Sequence, residues 1–66
     1  MKPFSRREKE VYTLMIQGCG YKQIGKQLGI TERTINAHIA SMREKTQSTT
    51  NAQMVYKIEH ASQNTN

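Results

Sequence analysis

Sixty-six residues hold one small hydrophobic core and exclude a second domain within them, and a domain of this size is marginal in stability unless its helices pack tightly or a second chain joins it. Ten Lys and Arg against five Asp and Glu give a net charge of +5 and a pI near 9.7, which suits a polyanionic partner without saying which one. One cysteine excludes an internal disulfide and a Cys-pair zinc site, and the lack of a long apolar run excludes a spanning segment.

The first predicted element opens at Phe4-Ser5-Arg6-Arg7-Glu8, a capping box in which the Ser5 hydroxyl accepts from the Glu8 N–H while the Glu8 carboxylate accepts from the Ser5 N–H. The helix it starts runs to about Gln17, with Val11, Leu14 and Met15 in one apolar stripe, Tyr12 beside it, and Gly18 free to take positive φ at the end. Cys19, between Gly18 and Gly20, reads as a small apolar filler; no His or second Cys stands beside it to activate the thiol. A second helix spans about Tyr21 to Leu28, with Ile24 and Leu28 one turn apart. Gly25 is expected to remove a side chain where the next helix crosses closest.

Gly29 then breaks the second helix, Ile30 plugs the turn, and Thr31 caps a third, from about Glu32 to Thr46. Ile35, His38, Ile39 and Met42 recur at helical spacing on its inner face, and His38 reads as a packed, hydrogen-bonded residue in preference to a phosphate ligand. Thr50-Asn51-Ala52-Gln53 repeats the capping-box pattern and opens a fourth helix from about Asn51 to Ala61, with Ala52, Met54, Val55, Ile58 and Ala61 along it. The domain is expected over residues 1–61. Residues 62–66 are polar, with no hydrophobic anchor, and are expected to be a flexible tail.

Two helices joined by a tight turn over residues 20–40 make a helix-turn-helix, and the outward residues Glu32, Arg33, Thr34, Asn36, Ala37 and Ala40 are polar or small. They look like a surface shaped to enter a groove. Charge agrees: residues 1–19 carry +2, residues 20–45 carry +3, and the remainder, with Lys57 and Glu59, sums to zero. The positive excess sits on the first three helices.

From Phe4 to Val55 the chain resembles the LuxR/GerE-type helix-turn-helix, the DNA-binding output domain of many bacterial transcription regulators. The resemblance rests on FSRREKEV, Gly18, KQIGKQLGIT, TINAH and Lys45, in order and at matching spacing. The family usually has alanine where Gly25 stands, a Leu-Gly pair at Thr46 and Gln47, and arginine at Asn51; these departures leave the groove-facing half untouched. The resemblance implies an all-α, compact four-helix domain whose third helix lies in the major groove of duplex DNA, braced by the second.

The residues suit that role. Asn36 has an amide that can pair bidentately with adenine N6 and N7, and Ala37 and Ala40 are small enough for close approach and contact with a thymine methyl. These three are the base-reading candidates; for Asn36 the plainer alternative is a solvated polar residue. Lys22, Gln23, Thr31, Arg33, Thr34, Arg43 and Lys45 lie near helix ends or on the flank, where they would meet phosphate oxygens. The resemblance further implies a homodimer paired through the fourth helix, with Met54, Val55 and Ile58 as candidates, or else as residues that close the core.

Catalysis finds no support. The chain has no aspartate, no Gly-rich phosphate loop and no HExxH, its five glutamates are expected on exposed helix faces, and His38 and His60 lack partners at ligand spacing. No cofactor or metal is expected. The expected partner is double-stranded DNA, with RNA polymerase or another regulator as a further one, in the bacterial cytoplasm at the nucleoid and away from membranes. The alternative function is a protein-binding module without a sensory domain that modulates a host regulator or RNA polymerase by hetero-association. The resembling regulators usually carry an N-terminal receiver or ligand-sensing domain, whereas here the helix-turn-helix follows Met1 at once. Sigma-factor region 4 domains share much of the layout, but the fourth helix argues against them.

Overall fold

Four helices order the computed structural model, which describes residues 2–61: α1 (Arg6–Ile16), α2 (Tyr21–Leu28), α3 (Glu32–Lys45) and α4 (Asn51–Ala61). The expected tail at residues 62–66 lies outside the described residues. Each boundary has a local cause. Both halves of the first capping box form, with the Glu8 N–H donating to Ser5 Oγ at 3.1 Å and the Ser5 N–H donating to Glu8 Oε1 at 2.8 Å. At the start of α4 the Gln53 N–H donates to Thr50 Oγ1 at 3.0 Å. The Gln53 side chain, however, reaches the Thr49 N–H at 2.8 Å and not that of Thr50, one residue beyond the usual box.

The first three helices end alike, with one residue at positive φ and a crossed pair or single long-range backbone bond closing the last turn. Gly18 (φ +91°) ends α1, with Cys19 N–H donating to Leu14 O and Gly18 N–H to Met15 O. Gly29 (φ +68°) ends α2, and Ile30 N–H donates to Gly25 O at 3.0 Å. At the end of α3 the same geometry falls on Gln47 (φ +54°), with Ser48 N–H donating to Arg43 O at 2.8 Å and Gln47 N–H to Glu44 O at 3.1 Å. A β-carbon in the left-handed region is strained, so Gln47→Gly is expected to raise stability by about 0.5–1 kcal/mol, or about 2–8 °C in thermal midpoint, as read by a circular-dichroism melt.

The core is Val11, Ile24, Ile35, Ile39, Met42 and Met54, enclosed by half-buried residues that include Phe4, Leu14, Tyr21, Leu28, Ile30, Val55 and Ile58. Three of those six belong to α3, which packs against every other helix. Gly25 is needed for a different neighbour than expected: a β-carbon there would sit 2.6 Å from the Ile30 carbonyl oxygen and 3.5 Å from Ile35 Cδ1. The turn backbone itself fills the space, with α3 behind it. His38 is half-buried, and no ring hydrogen bond is found for it among the described residues.

Two expectations are corrected by packing. Met54 is wholly buried within the protomer, because α4 turns it inward over the core, so it has no surface to offer a second chain. Glu8 does not lie on an exposed face; it is 4% exposed, wedged between the N-terminus of α1 and the C-terminal half of α3. Elsewhere, the Tyr12 hydroxyl donates to the Glu59 carboxylate and ties α1 to α4, and burial together with that carboxylate pushes the Tyr12 pKa above its ordinary value.

Candidate nucleic-acid interface

Helix α3 presents the candidate surface because its inward residues fix its rotation. Successive residues turn by about 100°, so the buried Ile35, Ile39, Met42 and Thr46 define one direction and Arg33, Ala37, Ala40 and Glu44 occupy the opposite one. All four of the latter are exposed, and Asn36, also exposed, lies beside them. The three base-reading candidates are thus gathered on one open face. Arg33 joins them there, on the outward line and away from the flank where a phosphate contact was expected.

Thr31 caps α3: its hydroxyl accepts from the Thr34 N–H at 3.2 Å and lies 3.1 Å from the Thr34 hydroxyl. Both threonines are therefore held at the helix mouth. Helix α2 begins at Gly20 without a side-chain cap, leaving first-turn N–H groups free beside Lys22 and Gln23. Lys22, Gln23 and Lys26 line one open hollow with Gly20. Lys26 was missed from sequence, although its place four residues after Lys22 put it on the same face.

The cations divide by what holds them. Lys22, Lys26, Arg33 and Arg43 form no salt bridge or side-chain hydrogen bond among the described residues. Lys57 instead donates to the carbonyls of Gln47 at 2.7 Å and Thr46 at 3.1 Å, capping the C-terminus of α3. Arg7 pairs with Glu10 at 3.1 Å on the surface of α1.

Lys45, expected among the phosphate contacts, is instead held by a partner within the protein. Its Nζ donates to Glu8 Oε1 at 2.7 Å and stands 5.9 Å from the centre of the Phe4 ring. It leaves α3 on the side facing α1, where Glu8 has no other counter-charge among the described residues. Burial would raise the Glu8 pKa, but hydrogen bonds from Lys45, Ser41 and the Ser5 N–H, with the Lys45 charge, hold it at about 2. The pair is an internal strut.

On α4, Val55 and Ile58 are half-buried, while Tyr56 is 63% exposed and stacks on His60 with ring centres 3.8 Å apart. Ile16 of α1 is the other large apolar side chain left in solvent among the described residues, half of it exposed. No described helix is long and apolar enough to cross a membrane, and no cluster of His, Cys, Asp or Glu that could hold a metal occurs among the described residues.

Comparison with known proteins bears on the family of the fold. The family model described as bacterial regulatory proteins, luxR family (GerE), matches residues 2–58. The transcriptional regulatory protein UhpA of Escherichia coli is 35% identical over 43 residues, 65% of this chain and 22% of that protein. UhpA of Salmonella typhimurium is 27% identical over 56 residues, 85% of this chain and 29% of that protein. The transcriptional regulatory protein MctR of Rhizobium johnstonii is 32% identical over 59 residues, 88% of this chain and 28% of that protein. The chain thus spans less than a third of each of these relatives. No solved structure matches it.

Proposed function

The chain belongs to the LuxR family of bacterial regulatory proteins, and from that premise we propose that it is a sequence-specific double-stranded DNA-binding transcription regulator that lays α3 in the major groove. The observation that carries the reading is the open face of Asn36, Ala37 and Ala40, small or amide-bearing side chains set opposite the core. Two alanines at i and i+3 let the helix backbone approach the base edges, and the Asn36 amide has the donor and acceptor that adenine requires.

Lys22, Gln23, Thr31, Thr34, Arg43 and the added Lys26 hold the phosphates on either side, so that register is set by charge and hydroxyl contacts while Asn36 supplies discrimination. Val55 and Ile58, with the exposed Tyr56, form the α4 surface through which two copies pair, placing two α3 helices in successive turns of the groove.

The reading has a double test. Lys22, Lys26 and Arg43 together predict that the logarithm of affinity falls against the logarithm of salt with a slope of about 3 per bound protomer, measured by fluorescence anisotropy on a duplex selected from a random pool. On that duplex, Asn36→Ala is expected to cost about 1–3 kcal/mol at one A·T pair and little on random DNA, whereas Lys22→Ala weakens both alike and lowers the slope by about 0.9. A flat salt response removes the proposal, and equal losses on selected and random duplexes for Asn36→Ala remove that residue from the base-reading set.

A further inference from the structure

We infer that Arg33 is a specificity-determining residue that reads a guanine edge, and that each half-site therefore carries a G·C pair recognised through it; the inference rests on the DNA-binding reading above.

Three observations converge on Arg33. It lies on the outward line of α3 with Ala37 and Ala40, opposite the buried Ile35, Ile39 and Met42. A side chain on that line points toward whatever the helix enters.

Second, nothing among the described residues holds it. Arg33 forms no ion pair among the described residues, and the positions three and four residues ahead on its own helix are Asn36 and Ala37, neither of them acidic. Arg7 shows the contrast, tethered to Glu10 one turn along.

Third, its place is unfavourable for the isolated domain. Arg33 is the second residue of α3, and a cation in the first turn opposes the positive end of the helix dipole, where Glu32 is the favourable choice. A charge that works against its own helix, with no internal partner to offset it, is the kind of local inconsistency that marks a binding residue.

Guanine is the target that fits. The planar guanidinium presents a two-pronged donor to the O6 and N7 acceptors in the major groove, and its long stem reaches the groove floor from the leading end of the helix. Ala37 and Ala40 leave the space beside it clear. Phosphate, by contrast, is expected on the flanks held by Lys22, Lys26, Thr31 and Arg43.

The test uses the chain itself on its selected duplex and on duplexes in which each guanine in turn is replaced by 7-deazaguanine, which lacks the N7 acceptor, or its pair is exchanged. The wild type is expected to lose about 5- to 150-fold in affinity at one guanine per half-site. Arg33→Ala should lose that same factor on the selected duplex and become indifferent to the exchange, with the salt slope unchanged. Its thermal midpoint should hold or rise, as removal of a dipole-opposed cation requires. If Arg33→Ala instead weakens every duplex equally and lowers the salt slope by about 0.9, Arg33 is a phosphate contact and the inference is overturned. A wild-type chain that binds no duplex at all overturns the DNA-binding reading and this assignment with it.

Discussion

Ala40→Glu should abolish duplex binding while leaving the fold intact. Ala40 is exposed at the centre of the outward face of α3, so a longer side chain there meets no other part of the protein. In a duplex complex the same side chain would carry its carboxylate into a groove walled by phosphates and floored largely by acceptors, and like-charge juxtaposition of that kind costs several kcal/mol. An affinity loss of about 100-fold or more on selected and random duplexes is expected, with a thermal midpoint within about 2 °C of wild type. Unchanged affinity by anisotropy would remove α3 from the interface.

The second large effect is on stability and concerns Glu8. Its carboxyl is held at about 2 in the folded chain against an ordinary value of 4.5. A lowered pKa contributes stability that is fully present above the unfolded value and is lost as pH falls from about 5 toward 2. The shift is worth about 3 kcal/mol, a large share of the roughly 3–10 kcal/mol available to a domain of this length. The side chain is 5% exposed, so solvent screens little of it. Glu8→Gln should therefore destabilise by about 1–3 kcal/mol at pH 7, less than the full shift because Lys45, 24% exposed, can turn to water. It should also flatten the fall in urea midpoint between pH 5 and pH 2, so that variant and wild type converge in acid. The chain has no aspartate, so the comparison is unusually clean. A variant that keeps the wild-type acid slope would show that the pair contributes nothing.

Much of this architecture was legible because its causes are local. Ser5 and Glu8 fix the start of α1, Gly18 and Gly29 fix two ends, and Thr31 fixes the start of α3. The open face followed from the same arithmetic: once Ile35, Ile39 and Met42 are inward, Asn36, Ala37 and Ala40 must look outward.

What was not legible depends on residues distant in the chain. Lys45 and Glu8 are 37 positions apart, and no periodicity brings a cation on α3 to a capping glutamate on α1. Taken alone, Lys45 at a basic helix end resembles a phosphate ligand; its partner makes it a strut. Met54 fell the other way because Met54, Val55 and Ile58 share one apolar stripe, and only the rotation of α4 over the core decides which is swallowed. Glutamine itself gives no signal for a left-handed residue at Gln47; the only hint was the glycine that the resembling family usually has there. The helical angle alone puts Arg33 on the outward line of α3, whereas its position near a helix end suggested a flank.

Backbone amide shifts of the labelled chain, followed by nuclear magnetic resonance during titration with the selected duplex, test the central claim most directly. The largest changes are expected at Arg33, Asn36, Ala37 and Ala40, with smaller ones at Lys22, Gln23 and Thr31, and with Val11 and Met54 unmoved. Changes centred on α1 or α4, with the outer face of α3 silent, would contradict the account.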